Sequence, residues 1–321
     1  MADMVATRVA YGKALEELGG RYGDIVVMDA DLSKSTMTVG FASKYPDRFV
    51  QMGIAEQDMM ATAAGIATMG KKVFASTFAV FAAGRAYDQV RNSIAYGCLN
   101  VKVCATHAGL SVGEDGASHQ MLEDIALMRV LPNMSVLCPA DATSAGWAVE
   151  AAYGHDGPVY VRLGRAPVPV YHPEGTAFSI GGSVPMAKGG DVTIIACGMM
   201  LGPALEAVGL LADQGISAGL LDMYSIKPLD EGAVLKAAGS TGAVVTAEEH
   251  SVIGGLGGAV CELLSGRLPV PVVRVGVDDV FGESGKPAQL MVKYGLTAAD
   301  IAGAALRAIG MKRDAIRPQE V

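Results

Sequence analysis

The sequence predicts an α/β protein of two domains, each a mostly parallel sheet covered by helices. Three observations carry that expectation. Short apolar runs alternate with helical patterns along nearly the whole chain, as the strands of a sheet buried on both faces do. Glycine is abundant, at 41 residues, and aromatics make up only 6%; that mix suits many tight strand–helix turns better than an all-β sandwich. The alternation is interrupted once, by a stretch rich in Pro, Gly and Ser at 165–185, and then restarts. With 321 residues, the chain has room for two domains of ~100–200 residues. We divide it into a first domain over 1–168, a linker over 169–185 and a second domain over 186–321.

The elements follow in order. Residues 3–18 carry helical periodicity. IVVMD at 25–29 reads as a buried strand and FVQMG at 49–53 as another, followed by a helix over 55–69. KVFAS at 72–76 is a third strand, leading into a helix that runs to 96. VKVCAT at 101–106 is a strand that opens a long glycine-containing loop. A strand at 135–140, a helix from 141 and a strand at 158–164 complete the first unit. The second unit has strands at 191–198, 217–223, 242–249 and 271–277. Its helices lie at 201–213, 230–238 and 257–265, and two further helical stretches close the chain. The IGGLGG run at 253–258 lacks the G-x-G-x-x-G spacing of a dinucleotide fingerprint in a first βα unit. It reads as close packing of a helix onto the sheet.

Composition excludes several function classes. Net charge is -8, which argues against a general nucleic-acid or anionic-membrane binder. The five cysteines, Cys98, Cys104, Cys138, Cys197 and Cys261, form no C-x-x-C pair, so neither a zinc site nor a disulfide framework is expected. The N-terminal residues lack the apolar core of a signal peptide, and no apolar run approaches the ~18 residues of a membrane span. The expectation is a cytoplasmic protein with no metal site of its own.

In parallel sheets, ligands gather beyond the C-terminal strand ends. The loops to watch follow residues 29, 53, 76, 106 and 164. Glu56, in MGIAEQ, opens an apolar helix after a strand; taken alone, such a carboxylate can simply satisfy the helix dipole. Phe78 and Phe81, in STFAVF, could form a flat slot for a heteroaromatic ring, or pack as ordinary core. THAGLSVGEDGASHQ at 106–120 gathers His107, Glu114, Asp115 and His119 in one loop. It has no helical H-x-x-x-H spacing for a metal, and solvated loop polarity is the bland alternative. Arg8, Ser35 and Arg165 are anion-binding candidates, because arginine suits bidentate phosphate recognition and DADLSKST reads as a loop entering a helix.

Together, MGIAEQ, STFAVF, THAGLSVGEDGASHQ, the arginine of LGRAP and VDDVFGESGKPAQLMVKYGLTAADI resemble, in order, the C-terminal half of a transketolase. The resemblance spans the chain from Arg8 to the last helix. It implies a pyrimidine-binding domain followed by a transketolase C-terminal domain, and a reaction that moves a two-carbon ketol unit from a ketose phosphate to an aldose phosphate. It implies thiamine diphosphate as cofactor. The G-D-G…N motif that holds the diphosphate and metal in that family has no counterpart here. A separate N-terminal subunit would therefore hold Mg2+ or Ca2+, in an α2β2 assembly without nucleic acid or membrane.

Family roles carry over by position. Glu56 matches the glutamate that hydrogen-bonds the cofactor's aminopyrimidine. Phe78 and Phe81 match the walls of that pocket, and Asp31 an aspartate facing the cofactor cleft. His107 and Asp115 match substrate contacts, and His119 a histidine near the donor carbonyl, so Glu56, His107 and His119 form the expected catalytic set. Arg8, Ser35 and Arg165 match the phosphate-binding set. Two positions depart: a family tyrosine is Gly84 here, and a loop aspartate is Ala108. Rival readings are a 1-deoxyxylulose-5-phosphate synthase, a 2-oxo acid dehydrogenase beta subunit, and a non-catalytic regulatory subunit.

Overall fold

In the computed structural model, residues 4–316 are described. The extreme residues of the two expected domains, 1–3 and 317–321, lie outside them, as does the first residue of the expected helix at 3–18. The first half runs β1 (Met4–Ala6), α1 (Thr7–Arg21), β2 (Ile25–Asp29), α2 (Ser33–Thr36), α3 (Val39–Lys44) and β3 (Phe49–Gln51). It continues with α4 (Glu56–Thr68), β4 (Lys72–Phe78), α5 (Tyr87–Gln89), β5 (Val101–Thr106) and α6 (Asp124–Arg129). Then come β6 (Ser135–Leu137), α7 (Ala142–Gly154), β7 (Val159–Arg162) and β8 (Pro167–Pro169). The second half runs β9 (Val184–Ala187), β10 (Val192–Ala196), α8 (Leu201–Ala212), β11 (Ala218–Asp222), β12 (Ser225–Lys227) and α9 (Glu231–Thr241). It ends with β13 (Val244–Ser251), α10 (Leu256–Arg267), β14 (Val272–Val277), α11 (Pro287–Lys293) and α12 (Ala298–Ile316).

The alternating apolar runs do form two sheets covered by helices. The first has the order β12-β6-β7-β5-β4-β2-β3 and is parallel except for β12 at its edge. Every residue of β5 is buried, including Lys102, whose Nζ donates to the carbonyls of His155 at 2.8 Å and Gly157 at 2.6 Å. Ile25, Val27, Phe74 and Cys104 face a core shared with Tyr11, Leu15 and Leu18 of α1 and with α7. Their sequence neighbours Met28, Val73, Ala75 and Val103 face the opposite core, against Met59 and Met60 of α4, as the two-residue strand period requires. That second core continues into Val234 of α9 and Val260 of α10, so the two halves share one apolar interior.

The second sheet has the order β14-β13-β10-β11-β9, parallel except for β9. α10 approaches it closely: a Cβ on Gly257 would stand 2.8 Å from Thr246 Oγ1 and 2.9 Å from the Arg274 side chain. The glycine run there serves packing, as expected.

Several elements differ from the sequence reading. The first helix starts at Thr7, because 4–6 instead pair antiparallel with 167–169, Met4 opposite Pro169. The strand expected over 49–53 ends at Gln51, and Gly53 turns the chain at φ 70°. The stretch read as irregular up to 185 already contains the start of β9, which pairs with β11. Ser225–Lys227, expected to be a connection, adds a strand to the first sheet beside β6. The helix expected up to 96 is wound as two π-helical stretches, Val80–Arg85 and Val90–Ala95, on either side of α5.

Buried polar groups join the halves. Arg162 Nε of β7 donates to Asp124 Oδ2 at 2.8 Å and its Nη2 donates to the Glu249 carbonyl of β13 at 2.9 Å. His172 lies between Asp141 (3.0 Å) and Asp222 (3.2 Å), all three buried. Asp141 also accepts from Ser144 N–H as the cap of α7.

Candidate active site

The register of β4 on β5 places Phe78 opposite Thr106, so the two strands deliver Phe78 and His107 to the same edge. The Phe78 and His107 rings stack with centroids 3.9 Å apart. Phe81, just beyond the end of β4, lies nearly parallel to Phe78, at 6.0 Å and 12°. His119 meets both phenylalanines edge-on, 6.3 Å from Phe78 and 5.6 Å from Phe81. Glu56 is the first residue of α4 and is 1% exposed. Its Oε2 accepts from Arg85 Nη1 at 2.9 Å, and that guanidinium lies 4.4 Å over the Phe81 ring. The structure thus brings Glu56, Phe78, Phe81, His107 and His119 into one cluster.

His107 is held with φ 57° and is 4% exposed, its Nδ1 3.0 Å from Thr106 Oγ1. Burial, then the positive charges of Arg8 and Arg165 and the neighbouring His119, push its pKa down to about 3. Its ring is therefore neutral and can give or accept a hydrogen bond.

The 106–120 loop is shaped by glycines and braced from the second domain. Gly109 takes φ 84°, and a Cβ there would collide with the Glu249 carboxyl group. Ser111 N–H donates to Glu249 Oε1. Gln120 Nε2 donates to the carbonyls of Gly113 (3.1 Å) and Glu283 (2.9 Å). Ser284 Oγ donates to the Glu114 carbonyl at 2.6 Å. The FGESGKP segment is thus a buttress for the loop.

A second group lies beside the cluster. Arg8 Nη1 donates to the Ser35 carbonyl at 2.6 Å, and Arg165 Nη1 donates to the Val112 carbonyl. Thr7 Oγ1 accepts from Gly164 N–H at 2.8 Å, which ties the start of α1 to the end of β7. Burial and the Arg165 charge both lower the Arg8 pKa, so the pair favours an anion between or beside them. Asp115 Oδ2 and Glu114 Oε2 stand 3.8 and 3.9 Å from Arg165.

Ser35 and Asp31 lie on the segment that follows β2. The Ser35 N–H is already bonded to the Leu32 carbonyl at 2.7 Å, inside a helical turn of four residues, so it offers no free helix-end amide. Asp31 is exposed at φ 62°, its N–H held by Gln51 Oε1 at 2.6 Å. Its carboxylate makes no hydrogen bond or ion pair with the cluster among the described residues.

Sequence reasoning missed four supporting residues: Asp29, Arg85, Gln120 and Glu249. Buried Asp29 accepts from Leu32 N–H and from the hydroxyls of Thr36 and Thr38, pinning the loop that carries Asp31 and Ser35. An acid ending an apolar strand was its only sequence signal. Arg85, four residues after Phe81, could have been found by helical spacing. Glu249 gave no local sign, since its partner is 138 positions away in sequence. No group of three or more His, Cys, Asp or Glu side chains able to hold a metal occurs among the described residues, and no helix there is long and apolar enough to cross a membrane.

The family model for the transketolase pyrimidine-binding domain matches residues 3–170, and that for the transketolase C-terminal domain matches 182–301. The chain belongs to the transketolase family. Among transketolase relatives, a Methanocaldococcus jannaschii protein named provisionally as a transketolase C-terminal section is 49% identical, over 92% of this chain and 93% of its own. The 6-deoxy-6-sulfo-D-fructose transketolase subunit of a Clostridium strain is 44% identical, over 93% of this chain and 92% of its own. A solved structure of a split gene transketolase, an inactive beta4 tetramer, superposes with a TM-score of 0.91 at 57% identity. It covers 96% of this chain and 100% of that one.

Proposed function

We propose that this chain is the C-terminal subunit of a thiamine-diphosphate-dependent transketolase, transferring a two-carbon ketol unit from a ketose phosphate to an aldose phosphate. The observation that carries the reading is the buried Glu56 carboxylate beside the nearly parallel Phe78 and Phe81 rings. The residues present fit an aminopyrimidine. Glu56 Oε1 has no protein hydrogen-bond partner among the described residues. The flat apolar walls stand next to it, and a Cβ on Gly84 would meet nothing within 4 Å. Glu56 would hydrogen-bond the ring through Oε1, while Phe78 and Phe81 would supply the apolar wall beside it. Thiamine diphosphate, when bound, supplies the carbanion chemistry by which the carbon–carbon bond is broken and remade.

The other residues act on the sugar. Arg8, Arg165 and the Ser35 hydroxyl bind the phosphate, and Asp115 a substrate hydroxyl. Neutral His107 hydrogen-bonds the substrate, and His119 gives or takes a proton near the donor carbonyl. Asp31 would line the cofactor cleft from the exposed turn that follows β2. We divide the chain into a pyrimidine-binding domain over 1–168, a linker over 169–185 and a C-terminal domain over 186–321. A separate N-terminal subunit would hold the diphosphate and Mg2+ or Ca2+, in an α2β2 assembly in the cytoplasm; of these, the likeness to a split gene transketolase supports the separate subunit.

The test is ketol transfer from xylulose 5-phosphate to ribose 5-phosphate, with thiamine diphosphate and magnesium. It is run with this chain, with its N-terminal partner, and with both. Activity only in the mixture is expected. A folded mixture that binds cofactor but transfers nothing would reject this sugar pair and move the assay to other sugar phosphates.

A further inference from the structure

We propose that Arg85 is a positioning residue for the Glu56 carboxylate, a role that rests on the reading of Glu56 as the cofactor's hydrogen-bond partner. Glu56 is almost fully buried, whereas the Arg85 side chain is 47% exposed. The bond from Arg85 Nη1 to Oε2, at 2.9 Å, is the one protein hydrogen bond made by that carboxylate among the described residues. A carboxylate with one oxygen held by a guanidinium has its plane fixed and presents the other oxygen in a single direction. The same guanidinium lies 4.4 Å over Phe81. It therefore couples the acid to the aromatic wall of the same pocket.

The backbone supports this placement. Val80–Arg85 is wound as a π-helix, a form found mostly as single turns at functional sites. That turn carries both Phe81 and Arg85. Gly84 next to it leaves open space where a side chain would project, since a Cβ there meets nothing within 4 Å. The side chain that stands against Phe81 and Glu56 together is Arg85. It touches neither substrate nor cofactor in this account; it sets the direction in which Glu56 faces the ring.

The test uses the reconstituted pair with Arg85→Met, Arg85→Lys and Glu56→Ala. Thiamine diphosphate affinity is measured by calorimetry, and kcat and sugar-phosphate KM by ketol transfer. Arg85→Met is expected to weaken cofactor affinity and lower kcat by about tenfold each, the scale of one charge-assisted hydrogen bond. Sugar-phosphate KM stays within twofold, and the thermal midpoint is retained. Arg85→Lys recovers most of the cofactor affinity, because an ammonium still reaches Oε2; it keeps the proposal testable if the methionine variant folds poorly.

Cofactor affinity and kcat within twofold of wild type in Arg85→Met would overturn the proposal. So would a change confined to sugar-phosphate KM. Glu56→Ala separates the two levels. Full turnover in that variant, or a wild-type pair that takes up no cofactor, overturns the reading of Glu56 and this inference with it. An inactive Glu56→Ala beside a normal Arg85→Met overturns only the role of Arg85.

Discussion

His107 stands in the candidate site as a neutral ring, because burial and the nearby Arg8 and Arg165 push its pKa down to about 3. It is suited to orienting a substrate oxygen; in the proposed reaction the proton transfers would fall to Glu56 and to His119, which stands at the edge of the rings. Glu56→Ala should lower kcat by roughly 10²–10⁴-fold, the usual scale for a lost acid–base group, while circular dichroism shows an unchanged fold. Arg165→Ala should behave differently. In the proposed role this arginine holds a phosphate remote from the reacting carbons, so its loss would remove binding common to ground and transition states. KM for phosphorylated substrates should rise by about tenfold with kcat nearly unchanged. Steady-state kinetics on the reconstituted pair distinguishes the two patterns.

At the level of elements, the site depends on a loop from one domain held by groups from the other. Gly109 has φ 84° and faces the Glu249 carboxyl so closely that any side chain would displace it. Gly109→Ala therefore combines backbone strain with loss of the bond from Ser111 N–H to Glu249. Destabilisation of about 1–3 kcal/mol is expected in urea unfolding. Activity should fall more than stability, because His107 and His119 lie at the two ends of the distorted segment. A variant of normal stability and full activity would show that the loop holds its shape without Glu249.

At the level of the whole molecule, His172 clamps the connecting segment between Asp141 of the first domain and Asp222 of the second. Burial works to lower its pKa, but the hydrogen bonds and charges of the two carboxylates push it up to about 9. A raised histidine pKa gives stability that is complete below about pH 6.5 and fades as pH climbs through 9. Buried Lys102 works in the opposite sense. Burial pushes it down to about 7, so its contribution improves as pH rises above that value. The prediction is therefore a difference: from pH 6.5 to 9, wild type should lose stability relative to His172→Asn, as measured by urea unfolding at each pH. Curves that stay parallel across that window would show that His172 carries no charge in the clamp.

The sequence by itself determined the α/β class, the alternation of strands and helices and the residues that mark the family. Each is written in local pattern: Val101–Thr106 reads as a buried strand because both faces are covered, and the motif residues need no distant partner to be recognised. It did not determine where β1, β9 and β12 pair, since each is three or four residues long and takes its partner from a remote segment. Nor could it pair Arg85 with Glu56, or set Glu249 beneath Gly109. Those contacts join positions 29 and more than a hundred residues apart in sequence. Only the packing of two sheets around a shared core decides which of many similar side chains meet, because burial makes each such meeting either fully satisfied or costly.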